Sequence, residues 1–197
     1  MMQEELRERI KGDYMIIEKK EIIQYHIDNK FIMTIDRCFN GETTSTMGFP
    51  IYLSEDFILT TVIVDFHDEG YAIMRTKDIA DAYSNESDSF NEQICVSEGL
   101  KDKIKQDYVK EMDSLKQILV QLQKYDGFIC VQCEQQLERC SFYMGKIVAV
   151  DDDKVSFKDI GMDGIWDEEI HDISYKDITQ ISYGDNYSKM YYKYVIK

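Results

Sequence analysis

The chain has 197 residues, 44% of them hydrophobic and 31% charged, with a formal net charge of −15. That composition belongs to a folded protein and leaves room for one large domain or two small ones. Its charge repels phosphate backbones and anionic lipid and draws in basic partners, and no apolar run approaches the roughly 18 residues of a membrane helix. The charge is uneven: residues 1–97 hold 9 Lys or Arg against 19 Asp or Glu, and residues 98–197 hold 14 against 19. An acidic surface also serves solubility alone. The N-terminal MMQEELRERI lacks the basic patch and apolar run of a secretory signal, so the expected compartment is the cytoplasm. Five cysteines without regular spacing fit reduced thiols better than a disulfide framework. A single proline among abundant Ile, Lys, Tyr and Asp suits an AT-rich bacterial genome.

In chain order, residues 2–28 read as helical, with Leu6 and Ile10 at helical spacing and Ile16, Ile17, Ile22 and Ile23 following, interrupted by Gly12. Residues 31–38 alternate as a strand, which Asn40-Gly41 ends as a turn. Further strands are expected at 47–53, 57–64 and 71–75, separated by turns at Ser54-Glu55-Asp56 and His67-Asp68-Glu69-Gly70. A closing segment at 77–83 turns Ile79 and Ala82 inward. The polar run SNESDSFNE at 84–92 reads as a surface loop. At 99–124, Leu100, Ile104, Tyr108, Met112, Leu115, Leu119 and Leu122 form an apolar stripe at helical spacing, with Gly127 as a stop. Strands then follow at 128–133, 142–150, 155–159 and 169–174, a segment at 176–183, and a Tyr-rich strand at 189–196 with Tyr191, Tyr192 and Tyr194.

The two halves align. Phe31, Ile32, Met47-Gly48 and Asp56 fall on Phe128, Ile129, Met144-Gly145 and Asp153 at an offset of 97, and Lys77-Asp78-Ile79 falls on Lys176-Asp177-Ile178 at an offset of 99. The expectation is an α+β chain of two tandem units, 1–92 and 93–197. Each is a helix followed by a small, strongly curved antiparallel barrel of about five strands, with the 99–124 helix between the barrels. Gly145-Lys-Ile-Val-Ala-Val-Asp-Asp-Asp-Lys-Val-Ser-Phe and, less clearly, residues 48–59 resemble the Sm-like small β-barrel, in which a glycine lets the second strand bend. Members of that group that bind RNA use an Asn near the Asp turn and a late Arg-Gly. Here Lys154 and Val155 follow Asp153, and no Arg-Gly stands at the lysine motifs, so RNA binding does not carry over.

Cys130-Val131-Gln132-Cys133, with Cys140 and His171 beyond, has the spacing of a metal or redox motif. On a strand, positions three apart face opposite ways and no helix follows, so the reading is core packing, with no metal or cofactor. The acidic turns Asp151-Asp152-Asp153 and Asp167-Glu168-Glu169 lack the oxygen spacing of a calcium loop. No nucleophile elbow, phosphate loop or metalloprotease motif is present, and His26, His67 and His171 have no neighbour pattern of a base.

Trp166, the single tryptophan, lies in Gly164-Ile-Trp-Asp-Glu-Glu, where an aromatic ringed by charge marks either an interface or a lid over a barrel end. The expected function is a non-enzymatic acidic protein that grips a basic protein partner. An immunity protein that neutralises a bacterial toxin, or a similar inhibitor or adaptor, fits that size and charge. The residues assigned to the grip are Trp166, Asp167, Glu168, Glu169, Asp151, Asp152, Asp153, Asp68 and Glu69. The alternative is an Sm-like nucleic-acid-binding or RNA-regulatory protein.

Overall fold

The computed structural model describes residues 14–103, 108–135 and 141–195. Leu6, Ile10, Gly12, Ile104 and Cys140 lie outside them. The chain forms α1 (Tyr14–Asn29), β1 (Met33–Phe39), β2 (Glu42–Gly48), β3 (Pro50–Leu53), β4 (Phe57–Val64), β5 (His67–Arg75), β6 (Ile79–Tyr83) and α2 (Glu86–Ser97). After these come α3 (Leu115–Leu122), β7 (Ile129–Cys133), β8 (Ser141–Val150), β9 (Lys154–Asp159), β10 (His171–Ser174), β11 (Gln180–Tyr183) and α4 (Asn186–Tyr194).

The α+β class holds, but two closed barrels do not form. Strands β2-β1-β6 make a three-stranded sheet, and β10-β9-β8-β7-β11-β5-β4-β3 make an eight-stranded one. The cause lies at β11, which pairs antiparallel with β7 on one side and with β5 on the other, Tyr183 facing both Ile129 and Tyr71. The edge of β5 that closure of a first barrel would need is therefore occupied by a strand from the second half. At the other end β6 pairs with β1 in the small sheet. The Sm-like expectation ends there: the residues that carried the resemblance form open sheets.

Gly48 and Gly145 do have the close-approach role that glycine permits. A Cβ at Gly48 would sit 1.8 Å from the Thr61 carbonyl oxygen, and one at Gly145 would sit 2.1 Å from that of Lys158. At Gly48 the chain leaves β2, paired with β1, and enters β3, paired with β4. The glycine thus marks the corner where one extended run changes sheets.

Both faces of the large sheet are covered, and side-chain alternation sorts its residues between clusters. Phe57 and Leu59 of β4, Ile73 of β5, Ile129, Val131 and Cys133 of β7 and Ile181 of β11 pack against Leu115, Ile118, Leu119 and Leu122 of α3. On the opposite face Ile58 and Met74 meet Met33, Ile35, Ile79, Ala82 and Ile23 of α1. Ile79 and Ala82 point inward as their spacing implies. A third cluster joins Cys95 of α2 and Leu100 to Ile32, Phe49 and Ile63. The fourth joins Phe128, Cys130, Met144 and Ile160 to Trp166 and to Tyr191, Tyr192 and Val195.

The helices differ from expectation in three places. The polar run 84–92 contains the start of α2, because Asn85 accepts from the backbone N–H groups of Ser87 and Asp88 while Asp88 accepts from that of Asn85, a complete capping box. Among the described residues of the 99–124 stripe, Lys101–Lys103 form a single 3-10 turn and α-helix is confined to α3, which begins where Ser114 accepts from Gln117 N at 3.2 Å. Before it, Val109 and Met112 are buried without helix, and Gln121 Oε1 accepts from the backbone N–H groups of Lys110 and Glu111. The Tyr-rich segment at the end is helix α4, nucleated by Asp185, which accepts from Ser188 N at 2.7 Å. None of the helices among the described residues is long and apolar enough to cross a membrane.

One buried polar cluster ties the two sheets together. Arg37 of β1 donates to Glu134 Oε2 at 2.5 Å and Oε1 at 3.2 Å and to Gln180 Oε1 at 2.6 Å. Glu134 also accepts from the Thr179 hydroxyl at 2.7 Å.

Candidate functional site

Residues 160–170 leave β9 and return to β10 as a loop whose shape is fixed by its own backbone. Gly161 N donates to the Ile165 carbonyl at 2.8 Å, Gly164 N to that of Gly161 at 2.9 Å and Asp167 N to that of Asp159 at 3.1 Å. Two carboxylates stiffen it from inside: Asp163 accepts from Ile165 N, and Asp167 accepts from Glu169 N, each at 3.1 Å. Asp167 Oδ2 also accepts from His171 Nε2 at 2.7 Å. That hydrogen bond, joined by the one from Glu169, holds the Asp167 carboxyl below its usual range. Lys158 Nζ reaches the Glu168 carbonyl at 3.2 Å.

Trp166 is half-buried and anchors the loop. Its ring meets Phe128 edge-on, with centroids 5.3 Å apart, and the same Phe128 ring meets Tyr192 of α4 at 5.1 Å. Trp166 thus packs as a cover over the fourth cluster, bridged through its backbone to Ile160. Around this anchor the loop exposes Met162 (88%), Ile165 (56%) and Ile170 (47%). The carboxylates of Glu168 and Glu169 are exposed and make no ion pair with the described residues.

Helix α4 runs alongside. The Tyr191 hydroxyl donates to the Met162 carbonyl at 3.0 Å, and Tyr187, Met190 and Tyr194 are exposed. At the helix N-terminus Glu69 accepts from Asn186 N at 3.0 Å and from Asn186 Nδ2 at 2.9 Å, and Asp68 accepts from Gly70 N at 3.0 Å. Glu69 thus holds the start of α4, joined by the Asp68 backbone carbonyl, which accepts from Asn186 Nδ2 at 3.4 Å, while the Asp68 carboxylate steadies its own turn. Beside them Phe66 is exposed, in the turn that joins β4 to β5.

Asp151, Asp152 and Asp153 stand apart, in the β8–β9 turn. Asp152 pairs with Lys116 of α3 at 2.5 Å. Tyr175 donates its hydroxyl to the Asp151 carbonyl and its backbone N–H to that of Asp153. Burial and the three carboxylates push the Tyr175 hydroxyl up to about 12. Asp151 and Asp153 remain exposed. The expected residues therefore form two groups: α4 gathers Trp166 to Glu169 with Asp68 and Glu69, whereas the Asp151 turn lies against α3.

Cys130 and Cys133 belong to different core clusters on opposite faces of β7, and burial raises the Cys130 thiol. Among the described residues no group of three or more His, Cys, Asp and Glu could hold a metal ion. His67 Nδ1 lies 2.8 Å from the Asp65 carbonyl, and His171 serves Asp167.

Met162, Ile165, Tyr187, Met190 and Tyr194 join the exposed surface without having been assigned to a site in the sequence, where Tyr194 counted only as a strand former. The signals for them were the Asp185-x-x-Ser188 cap and the spacing of Tyr187, Tyr191 and Val195, which place a helix where aromatic content alone favours a strand. Neither a known protein family, nor a curated protein, nor a solved structure matches the chain.

Proposed function

We propose that the protein is a non-enzymatic binding module whose surface, formed by residues 160–170 and α4, grips a basic protein partner. The observation that carries this reading is a rigid loop presenting Met162, Ile165 and Ile170 to solvent beside Asp163, Glu168 and Glu169. An exposed apolar centre with a charged rim is the anatomy of a protein interface, and a loop already held in shape loses little entropy on binding. The net charge of −15 selects the sign of the partner and speeds the encounter. An inhibitor or adaptor is the class of role this supports, with an immunity protein against a bacterial toxin as its specific form, by analogy of size and charge.

The test is purification of the tagged protein from its source cells at low and then high salt, with ultraviolet absorbance ratios and mass spectrometry of what co-elutes. A stoichiometric basic protein released by salt is the expected result. Nucleic acid in its place, or a clean protein with no partner, contradicts the reading.

A further inference from the structure

The two sheets end in β2 and β6 on one side and in β3 and β10 on the other. A bare edge presents unpaired N–H and C=O groups that another chain can meet, and folded proteins blunt such edges. Three of these edges are blunted. β3 is four residues long and begins with Pro50, which has no N–H to offer. In β6 the Ala82 N–H donates to the Asp81 carboxylate at 2.9 Å, and the Ile79 carbonyl accepts from Lys19 Nζ at 3.1 Å. β10 is also four residues long, and its Ser174 carbonyl accepts from Asp177 N at 3.0 Å.

β2 differs. It runs seven residues without proline, lysine or bulge, and Glu42, Thr43, Thr44 and Ser45 are exposed in succession. Phe39 and Glu42 flank the two-residue Asn40-Gly41 turn, which makes them a hydrogen-bonded pair, as are Arg37 with Thr44 and Ile35 with Thr46. Thr43 and Ser45 therefore turn their N–H and C=O groups away from β1, where they meet no partner among the described residues. The open stretch ends at Met47, whose sulfur lies 3.6 Å from Asn91 Nδ2 of α2.

The surroundings of this edge are acidic. Asp36 of β1 stands between Ser45 of β2 and Asp81 of β6, and two carboxylates directly opposite each other cost stability unless a cation comes near. Asp36, Glu42 and Asp81 make no ion pair with the described residues. Arg37, the cation of these three strands, is buried on the other face and bound to Glu134. No Lys or Arg occurs between Arg37 and Arg75.

We propose that the free edge of β2 takes an extended basic segment of a partner protein as an added strand, pairing with the backbone of Thr43 and Ser45 and reaching Asp36 with a Lys or Arg placed opposite Ser45. Neighbouring strands lie about 4.8 Å apart, so that residue stands two spacings from Asp36, within the combined length of the two side chains. A second copy of the chain would bring a charge of −15 against its like and no cation on the pairing strand. The site is separate from residues 160–170 and α4 and does not depend on what binds there.

The experiment titrates the isotope-labelled full chain with an acetylated, amidated heptapeptide of alternating threonine and lysine, following backbone amides by NMR. Saturable shifts centred on the Thr43 and Ser45 amides are expected, with affinity at least about tenfold weaker for the same peptide carrying glutamate in place of lysine. Ser45→Pro deletes an outward N–H that β1 does not use, so the hairpin keeps its bonds while binding is lost. Thr43→Pro makes the same change should the first variant fold poorly. No saturable shift up to about 5 mM peptide, equal affinity for the glutamate peptide, or undiminished binding in a folded proline variant would overturn the proposal. So would sedimentation showing that the peptide-free protein is a dimer which Ser45→Pro dissociates, since a second copy would then hold the edge.

Discussion

Arg37 shows how much depends on a single buried charge. Its side chain is 1% exposed and that of Glu134 12%, and the pair bridges the small sheet to the end of β7 and to β11. Truncating one partner strands the other in a low-dielectric setting, so Arg37→Ala lowers stability by about 3–5 kcal/mol in denaturant unfolding. The double variant Arg37→Met, Glu134→Leu costs markedly less, because it removes both charges together. Arg37 Nε and Asp78 Oδ2, both buried, lack partners. Burial raises the Asp78 carboxyl, more than the nearby Lys77, Arg75 and Arg37 lower it. A carboxyl whose folded pKa lies above its unfolded value binds its proton more tightly in the fold. Stability therefore falls as pH rises from the unfolded pKa through the folded one. Asp78→Asn accordingly stabilises the protein at neutral pH, and the gain vanishes below about pH 4, which unfolding curves across pH measure.

At the scale of the element, turns separate what the sequence revealed from what it concealed. Asn40 and Gly41 both have positive φ, 53° and 85°, and close the β1–β2 hairpin where the dipeptide places a turn. Asp65 and Phe66 make the corresponding β4–β5 turn at φ 48° and 61°, although the acidic run two residues later looked more like the turn. A phenylalanine in that region is strained. Replacing Asp65-Phe66 by Asn-Gly raises stability by about 0.5–1 kcal/mol, read as a shift in denaturant midpoint without a change in slope. Helix α2 stayed hidden because it buries little beyond Cys95 and Asp88, so no apolar period announces it. Helix α4 stayed hidden because tyrosines favour strands in the absence of a cap. The loop around Trp166 was legible as a site, whereas its exposed apolar members gained meaning only once α4 lay beside them.

For the whole molecule, β4, β5 and β7 were readable as strands and the opposite faces of Cys130 and Cys133 followed from the strand period, but the partners of β5 and β11 were not readable. Nothing local in Tyr71 to Met74 states that its edge meets Gln180–Tyr183, more than a hundred residues away. That junction is reinforced by Tyr71 stacked on Tyr183 at 5.1 Å and by Arg75, which donates to the carbonyls of Ile178 and Tyr175. A sheet continuous through it couples both halves of the chain. Calorimetry is expected to show one transition whose calorimetric and van't Hoff enthalpies agree. Two resolved transitions would instead make residues 1–92 and 93–197 independent units. On the outside of this frame lies the acidic surface of residues 160–170 and α4. Trp166 packs on Phe128, so altering it disturbs the core, whereas Ile165, Glu168 and Glu169 point to solvent. The decisive measurement is partner capture by the wild type against the Ile165→Asp, Glu168→Lys, Glu169→Lys variant, with the thermal midpoint of each recorded. Loss of the basic partner at an unchanged midpoint is predicted; a folded variant that holds the partner as firmly as wild type contradicts the account.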